Sequence, residues 1–357
     1  MFSTTLPVGR RRRRATRLAL AATIALAALT GCSAAPGGTA ASPAASAQSE
    51  EGAFPATVTH ALGTTKIPAE PQRIAVIGWS TPDVVAALGY VPIAVGKNNY
   101  GADAEGHFPW FRDEIEKLGG TMPVALPSLE RGEINFEALL ETAPDLILAT
   151  YSGITEEDYR RLSAIAPTIG YPKQSWATPL NENITLVGQA LGVPERAREL
   201  QETLDRTIAD AAAAHPEFAG VSFTYGTAPA EDGMLLLNGP ADSRVQLLEQ
   251  LGLTLDPRVG ELAATSGQSS SFTVSLEQIS SLRSDLFITN VADDDEWATS
   301  LANSSVFANW GPVGAGNVVV TSDNALTMAM SSPSPLSIMW GLDRFVEPLA
   351  AVVADAR

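Results

Sequence analysis

One segment of the sequence occurs twice, and this repeat limits the folds that the chain can adopt. Residues 134–150 and residues 274–290 align without a gap at a constant offset of 140 positions, with apolar residues facing apolar residues. Each copy has the pattern of a short helix, with Asn135 or Ser275 as its N-cap, followed by a buried strand. Such helix-strand units build α/β domains with parallel sheets. The repeat therefore predicts two similar α/β lobes.

The N-terminal 31 residues are typical of an export signal. Six arginines lie between positions 10 and 17, and residues 18–29 form an apolar stretch that is too short to span a membrane. The sequence LTGC at residues 29–32 resembles the lipobox of bacterial lipoproteins. That resemblance implies cleavage before Cys32 and lipidation of its thiol, so that the protein is exported and anchored to the outer face of the cell membrane. An ordinary signal peptide that contains Cys32 is the alternative, and export by the Sec or the twin-arginine route stays open.

The remaining composition narrows the possible partners. Residues 32–53 are rich in Ala, Ser, Pro and Gly, and we expect a disordered tether there. Without the signal, 17 basic residues face 40 acidic residues, which disfavours nucleic acid as a partner. A single cysteine excludes an internal disulfide bond.

The rest of the chain divides into three parts. We expect an N-terminal lobe at residues 54–180, linking helices at residues 181–216 and a C-terminal lobe at residues 217–357. The second linking helix should begin at Pro194 and run for about 30 Å, with an ion pair between Glu202 and Arg206 on its wet side. In the last lobe, the sequence predicts a hairpin at residues 232–233 and a final helix at residues 336–353 that packs on that lobe.

Candidate ligand contacts follow the predicted strands, because ligands of open α/β sheets bind beyond the carboxyl ends of the strands. Aromatic residues are only 6% of the chain, yet many fall at these positions, which indicates a large, partly apolar, flat ligand. Each residue could instead close the end of a sheet, and Tyr151 is the strongest single candidate. The candidate binding residues are Trp79, Tyr100, Trp110, Tyr151, Lys173, Trp176, Tyr225 and Arg244.

Catalytic patterns are poor in this sequence. It has three histidines and no zinc-protease, nucleophile-elbow, phosphate-loop or dinucleotide-binding motif. We therefore expect no enzyme, no cofactor and no metal held by protein ligands. An exported hydrolase and a structural or adhesive lipoprotein are the disfavoured alternatives.

Four segments carry a resemblance to a known family. They are TTKIPAEPQRIAVIGWSTPDVVAALGYVPIAV, INFEALLETAPDLILATYSG, EEDYRRLSAIAPTIGYP and VSLEQISSLRSDLFI. Together they resemble the iron-siderophore substrate-binding lipoproteins of ABC importers. The resemblance implies an α/β fold of two Rossmann-like lobes with parallel sheets, joined by one long helix, with a ligand cleft between the lobes. It also implies a monomer that delivers a ferric siderophore to a membrane permease and its ATPase. Haem and cobalamin binders of the same family remain alternatives.

The resemblance also implies two docking carboxylates, one on each lobe, near the start of the helix after the repeat strand. On this sequence the first position falls on Glu156 or Glu157, and the offset of 140 relates Glu156 to Glu296. The alternative is that both carboxylates only favour the positive end of a helix dipole.

The charge of the residues in the predicted cleft indicates which class of siderophore it can bind. A ferric catecholate carries three negative charges and needs clustered Arg or Lys, whereas a ferric hydroxamate is neutral or slightly cationic and suits aromatic residues. The predicted cleft holds three cations, Lys97, Lys173 and Arg244, against six aromatic residues. The sequence therefore favours a hydroxamate, with Arg244 or Lys173 donating to its oxygens, and a catecholate is the alternative.

Overall fold

The computed structural model describes residues 48–127, 134–229 and 233–356. The expected signal peptide, Cys32 and most of the expected tether lie outside the described residues. The last residues of that tether lie against the folded body. The Glu50 N–H donates to the Gly192 carbonyl at 2.8 Å, and the Arg196 guanidinium donates to the Gln48 carbonyl at 3.0 Å.

The first lobe is built on a parallel sheet of five strands, preceded by an antiparallel pair. The strands are β1 (Ala56–His60), β2 (Gly63–Ile67), β3 (Ile74–Val76), β4 (Ala94–Gly96), β5 (Val124–Leu126), β6 (Leu146–Leu148) and β7 (Thr168–Ile169). β1 pairs with β2, and the sheet has the order β5-β4-β3-β6-β7. All residues of β3 and β6 are buried, as expected for central strands that helices cover on both faces.

Among the described residues, four α-helices accompany the first sheet. They are α1 (Thr81–Ala87), α2 (Pro109–Lys117), α3 (Phe136–Glu141) and α4 (Glu156–Ser163). The predicted N-cap of the first repeat helix is confirmed, because the Asn135 side chain accepts a hydrogen bond from the Ala138 N–H.

Two helices lead from the first lobe to the second, α5 (Leu180–Leu191) and α6 (Pro194–Ala214). α6 has 21 residues and is therefore about 32 Å long, which agrees with the predicted linking helix. The predicted Glu202–Arg206 pair is wrong. Glu202 pairs instead with Arg198, one turn earlier on the same helix, and Arg206 donates to Thr203.

The second lobe contains a parallel sheet of four strands and a separate antiparallel pair. The strands are β8 (Ser222–Tyr225), β9 (Met234–Asn238), β10 (Thr254–Leu255), β11 (Ser271–Ser275), β12 (Leu286–Asn290) and β13 (Val318–Thr321). The parallel sheet has the order β10-β8-β12-β13, and β9 pairs with β11. The residues after β8 meet β9 in an antiparallel arrangement, as the predicted hairpin requires, through a bridge between Gly226 and Leu237 and a hydrogen bond of 2.8 Å from the Thr227 N–H to the Leu236 carbonyl. Asp232 of the predicted turn lies outside the described residues, and β9 forms its longer ladder with β11, which comes later in the chain.

Eight α-helices follow α6 in the part of the chain that the structure describes. They are α7 (Ser243–Gln250), α8 (Pro257–Ser266), α9 (Leu276–Ile279), α10 (Asp294–Asn303), α11 (Ser305–Ala308), α12 (Gly311–Ala315), α13 (Asn324–Ser331) and α14 (Pro335–Asp355). The predicted capping box of α9 is formed, with the Ser275 N–H donating to Gln278 Oε1 at 3.0 Å.

The sequence repeat corresponds to equivalent parts of the two sheets. α3 and β6 match α9 and β12 at the offset of 140, and each of these strands pairs with the first strand of its own sheet. The Asp145 carboxylate accepts the N–H of Arg73 at 2.9 Å, and the Asp285 carboxylate accepts the N–H of Ser222 at 2.8 Å. Both aspartates therefore fix the start of the neighbouring strand.

Helix α14 contacts both lobes, although the sequence indicated packing on the second lobe. It packs against α13 and β13, and also against α1 and α2 of the first lobe. At its start, the Ser334 hydroxyl donates to the Asp83 carboxylate at 2.5 Å, and further along the Trp340 ring lies 5.3 Å from that of Trp110. The final helix thus helps α6 to hold the lobes together.

None of the helices in the described residues is long and apolar enough to cross a membrane.

Candidate ligand-binding site

Three large aromatic side chains are exposed in the part of the chain that the structure describes. Trp79 is 45% exposed, Trp176 44% and Tyr100 43%. All three follow strands of the first sheet, as the sequence predicted. Exposed aromatic residues gathered at one edge of a sheet are typical of a ligand-binding surface rather than of a core.

Trp79, Tyr151 and Trp176 form one group, which we call the aromatic cluster. The Trp79 and Trp176 rings lie 5.6 Å apart, and the Tyr151 and Trp176 rings lie 6.4 Å apart. Their loops are joined by backbone hydrogen bonds, from the Trp79 N–H to the Tyr151 carbonyl and from the Trp176 N–H to the Ser152 carbonyl, each at 3.0 Å. The cluster is therefore held by main-chain contacts and presents a preformed face.

The backbone at this cluster is unusual. Ser80 has φ 53° and Trp176 has φ 56°, in the left-handed region that side chains other than glycine rarely adopt. Such residues are concentrated at functional sites, where the surrounding structure must compensate for the strain. Position 153 needs a glycine for lack of space rather than for its backbone angles, because a Cβ there would lie 2.0 Å from Trp176 Nε1.

Arg244 lies on the second lobe, where a carboxylate balances its positive charge. The Arg244 guanidinium donates to both oxygens of the Asp242 carboxylate, at 2.9 and 2.8 Å, and to the Ser331 hydroxyl at 3.2 Å. It also lies over the Tyr225 ring, 5.2 Å from the centroid. Burial is the largest single influence and acts to lower the pKa of Arg244, but the hydrogen bonds and negative charge of Asp242, together with Tyr225, outweigh it and the pKa is raised. The arginine is thus fully charged and already neutralised by its partner.

The aromatic cluster and this arginine pair are close in space. Burial raises the pKa of the Tyr151 phenol, and the negative charge of Asp242 raises it further. Tyr151 belongs to the first lobe and Asp242 to the second. The two surfaces therefore face each other across the cleft.

Tyr100 joins the lobes at another point of the cleft. Its hydroxyl donates to Asn324 Oδ1 at 2.6 Å, which connects the loop after β4 to the start of α13. Partial burial raises the pKa of Tyr100, and the carboxylate of Glu296 adds to the shift. Tyr100 is thus both an exposed aromatic side chain and a contact between the lobes.

A recess of about 390 Å³ opens between the lobes next to Tyr151. Its walls come from the strand ends of the first lobe, the segment before α5, and helices α6 and α7. We call it the side recess, and its lining includes Ser80, Tyr151, Thr178, Asn181, Leu204, Asp205, Ile208, Ser243, Gln246, Leu247, Gln250, Pro333 and Ile338.

Three of the predicted binding residues are placed differently from the aromatic cluster. Trp110 is 4% exposed and donates from Nε1 to Asp83 at 2.7 Å, so its indole belongs to the contact between the lobes. Tyr225 is also buried, and the Arg244 guanidinium lies over its ring. Lys173 is exposed and forms an ion pair with Glu182 at 2.6 Å.

The two predicted docking carboxylates lie at helix starts. Glu156 is the first residue of α4, and Glu296 lies in the first turn of α10, where its carboxylate accepts the Ala292 N–H. Both residues are exposed. Within residues 48–127, 134–229 and 233–356, no three His, Cys, Asp or Glu side chains are grouped so that they could hold a metal ion.

Sequence reasoning missed the partners of the predicted residues. Asp242, Ser331 and Asn324 complete the contacts of Arg244 and Tyr100, but they lie on other elements. Asp242 was detectable in principle, because an aspartate two residues before an arginine at a helix start suits an N-cap. The Asp242 side chain does accept the Arg244 N–H in this way.

Comparison with known proteins identifies the family. The model of the periplasmic binding protein family matches residues 74–324. The crystal structure of PiaA from Streptococcus pneumoniae in complex with ferrichrome superposes with a TM-score of 0.73 at 30% sequence identity, over 84% of this chain and 99% of that one. This chain belongs to the periplasmic binding protein family.

Other relatives of this binding protein agree with that assignment. A periplasmic solute-binding protein from Mycobacterium smegmatis superposes with a TM-score of 0.72 at 28% identity, over 84% of this chain and 98% of that one. The probable siderophore-binding lipoprotein YfiY of Bacillus subtilis is 27% identical over 76% of this chain and 82% of its own length. The Fe(3+)-citrate-binding protein YfmC of the same organism is 25% identical, over 67% of this chain and 70% of its own. The comparisons confirm the predicted family and its transport role, and the binding protein is not an enzyme.

Proposed function

We propose that this periplasmic binding protein captures a ferric hydroxamate siderophore in the cleft between its lobes and delivers it to the permease of an ABC importer. The observation that carries the proposal is the combination of an exposed aromatic cluster with an arginine whose charge Asp242 balances. Such a surface suits a large ligand with apolar arms and little net charge.

Arg244 has the donors that hydroxamate oxygens need. A guanidinium carries five N–H groups, and Arg244 gives one each to the two Asp242 oxygens and to Ser331. The N–H groups that remain can donate to the oxygens around the ferric centre, while the aromatic cluster packs against the carbon framework. The iron stays coordinated by the siderophore throughout and is cargo.

Charge separates this ligand from the alternatives. A ferric catecholate with three negative charges, or an anionic ferric citrate complex, would have to enter a cleft in which Asp242 already balances the charge of Arg244. Lys173 offers little compensation, since it is exposed and paired with Glu182. Of the three predicted cations, Lys97 is the one without an ion pair among the described residues, and a single lysine does not match three negative charges. We therefore favour the neutral hydroxamate over the anionic catecholate and citrate complexes, and the titration below also compares it with haem and cobalamin.

The test is a tryptophan fluorescence titration of the purified protein with ferrichrome, ferrioxamine B, a ferric catecholate, ferric citrate, haem and cobalamin in separate experiments. Saturable quenching by the two hydroxamates at the lowest concentrations is expected. Trp79→Ala and Tyr151→Ala should each weaken hydroxamate binding by roughly tenfold, because aromatic anchors dominate such contacts. Leu140→Ala, at an apolar side chain that is 59% exposed outside the cluster, is the control that should bind normally. Preference for an anionic complex, or unchanged binding in both aromatic variants, contradicts the proposal.

The location of the protein belongs to the same proposal. We infer that it is exported as a monomer and anchored to the outer face of the cell membrane by acyl chains on Cys32, which the LTGC sequence and the lipoprotein name of YfiY support. Metabolic labelling with a radioactive fatty acid should mark the wild type and not Cys32→Ser. Labelling of both proteins would refute the anchor.

Glu156 and Glu296 are proposed to dock the protein on its permease. Both are exposed carboxylates in the first turn of a helix, Glu156 as the first residue of α4 and Glu296 as the third residue of α10, so they can meet basic residues of a membrane partner. The same carboxylates also favour their own helix starts, and uptake measurements on variants separate the two roles.

A further inference from the structure

The side recess has an aliphatic wall. Leu204 and Ile208 reach it from α6, Leu247 from α7 and Ile338 from α14, and all four side chains are buried in the protein. An aliphatic wall binds alkyl chains through apolar contact and offers nothing to a ligand that is charged along its whole length.

Two glutamine amides and one carboxylate contribute hydrogen-bond acceptors to the recess. The Gln246 amide donates to the Pro240 carbonyl at 3.5 Å, and the Gln250 amide donates to the Gln246 carbonyl at 3.3 Å. Their side-chain oxygens therefore remain as acceptors. Asp205 on α6 adds an exposed carboxylate that forms no ion pair with any residue the structure describes.

Positive charge is missing from this lining. No Lys, Arg or His is among the residues that line the recess within the described chain. Aliphatic side chains together with a carboxylate and amide oxygens are the complement of an alkyl chain that ends in a protonated amine.

We propose that the side recess binds an alkyl-ammonium arm of the siderophore, with the ammonium at Asp205. This inference rests on the proposed function and adds to it a ligand class, the linear hydroxamate siderophores that end in a free amine. Tyr151 lines the recess and belongs to the aromatic cluster, so an arm can enter the recess while the ferric centre stays on the cluster. The recess of about 390 Å³ is at the lower end of the range for ligand pockets, which suits one arm rather than a whole ferric complex.

The test compares two ligands that share an iron centre. Ferrioxamine B ends in a protonated amine, and its N-acetyl derivative differs by the loss of that charge. The dissociation constants, measured by fluorescence titration of the purified protein at low salt, should favour ferrioxamine B by about three- to fivefold, the upper part of the range for a solvent-exposed ion pair, because low salt screens the pair little.

Two variants test whether Asp205 causes the preference for ferrioxamine B. Asp205→Asn should remove the preference and leave the affinity for the acetylated ligand unchanged. Asp210→Asn, which removes an exposed carboxylate outside the recess on the same helix, should keep it. Equal affinities of the two ligands for the wild type, or a preference that survives in Asp205→Asn, would overturn the inference while leaving hydroxamate capture intact. Failure of both ligands and of ferrichrome to bind would overturn the proposed function and this inference together.

Discussion

Asp83 is a buried carboxyl group at the contact between the lobes, and its titration should control the pH dependence of stability. It lies in the first turn of α1 and is 5% exposed. It accepts hydrogen bonds from Trp110 Nε1 at 2.7 Å and from the Ser334 hydroxyl at 2.5 Å. These two donors replace part of the hydration that the carboxylate loses on burial. Because both are neutral, they do not balance its negative charge.

The size of the change in stability with pH follows from the pKa of Asp83. Burial raises the pKa of Asp83 from 3.8 to about 6, although the hydrogen bonds from Ser334 and Trp110 oppose the shift. Between these two values the folded protein keeps a proton that the unfolded chain has lost. The free energy of unfolding therefore falls as the pH rises through this window, by about 3 kcal/mol, and stays lower above it.

Asp83→Asn tests this reasoning because an amide has nearly the same shape and no charge. Trp110 and Ser334 both donate to the same oxygen, Oδ2, so the amide oxygen of the variant can accept both hydrogen bonds from that position. At pH 4 the variant and the wild type should be similarly stable, since both side chains are neutral. At pH 7 the variant should be more stable by about 3 kcal/mol, because the wild type must bury a carboxylate.

The assay is urea denaturation at intervals from pH 4 to pH 7, with the free energy of unfolding compared between the two proteins at each pH. Subtraction removes the contributions of other groups, such as Asp103, whose pKa is lowered despite partial burial because His107 and Arg112 donate to it. A difference between the proteins that stays constant from pH 4 to pH 7 would refute the reasoning. It would mean that Asp83 has the same pKa in the folded and unfolded chains.

Three further predictions concern binding and transport. Gly153→Ala should weaken siderophore binding about tenfold without lowering the melting temperature much, because the added methyl group displaces Trp176; normal affinity in a titration would contradict this. Asp242→Asn leaves its arginine partner uncompensated, so the affinity for a ferric catecholate should rise relative to that for a hydroxamate, and an unchanged ratio would argue against the charge balance. Glu156→Ala combined with Glu296→Ala should reduce iron uptake by cells while ligand affinity stays the same, and normal uptake would leave these residues with helix stabilisation alone.

Most of the fold could be predicted from local patterns in the sequence. The repeat predicted two helix-strand units, and the structure shows why its aspartates recur, since Asp145 and Asp285 each fix the start of the neighbouring strand. The N-cap at Asn135 and the length of the linking helix also depend on nearby residues, so short-range rules were sufficient.

Contacts between distant parts of the chain could not be predicted in this way. β9 forms its full ladder with β11 and meets the residues after β8 only briefly, because strand pairing is decided by the packing of the whole lobe. Trp110 followed a strand as the exposed aromatic residues do, yet its partner Trp340 on the last helix buries it. The position of an aromatic residue after a strand therefore indicates the edge of a sheet, and only the rest of the fold decides which of these residues stay exposed.

The contacts between the lobes also bear on how the ligand is bound. The lobes are joined by α6, by α14, by the buried bond from Ser334 to Asp83, and by the bond from Tyr100 to Asn324. Opening the cleft widely would break two hydrogen bonds and expose the apolar contact between Trp340 and Trp110. We infer that the lobes move little during binding. Affinity then depends on a face that exists before the ligand arrives, which explains why its tryptophans are held by main-chain hydrogen bonds rather than left to rearrange.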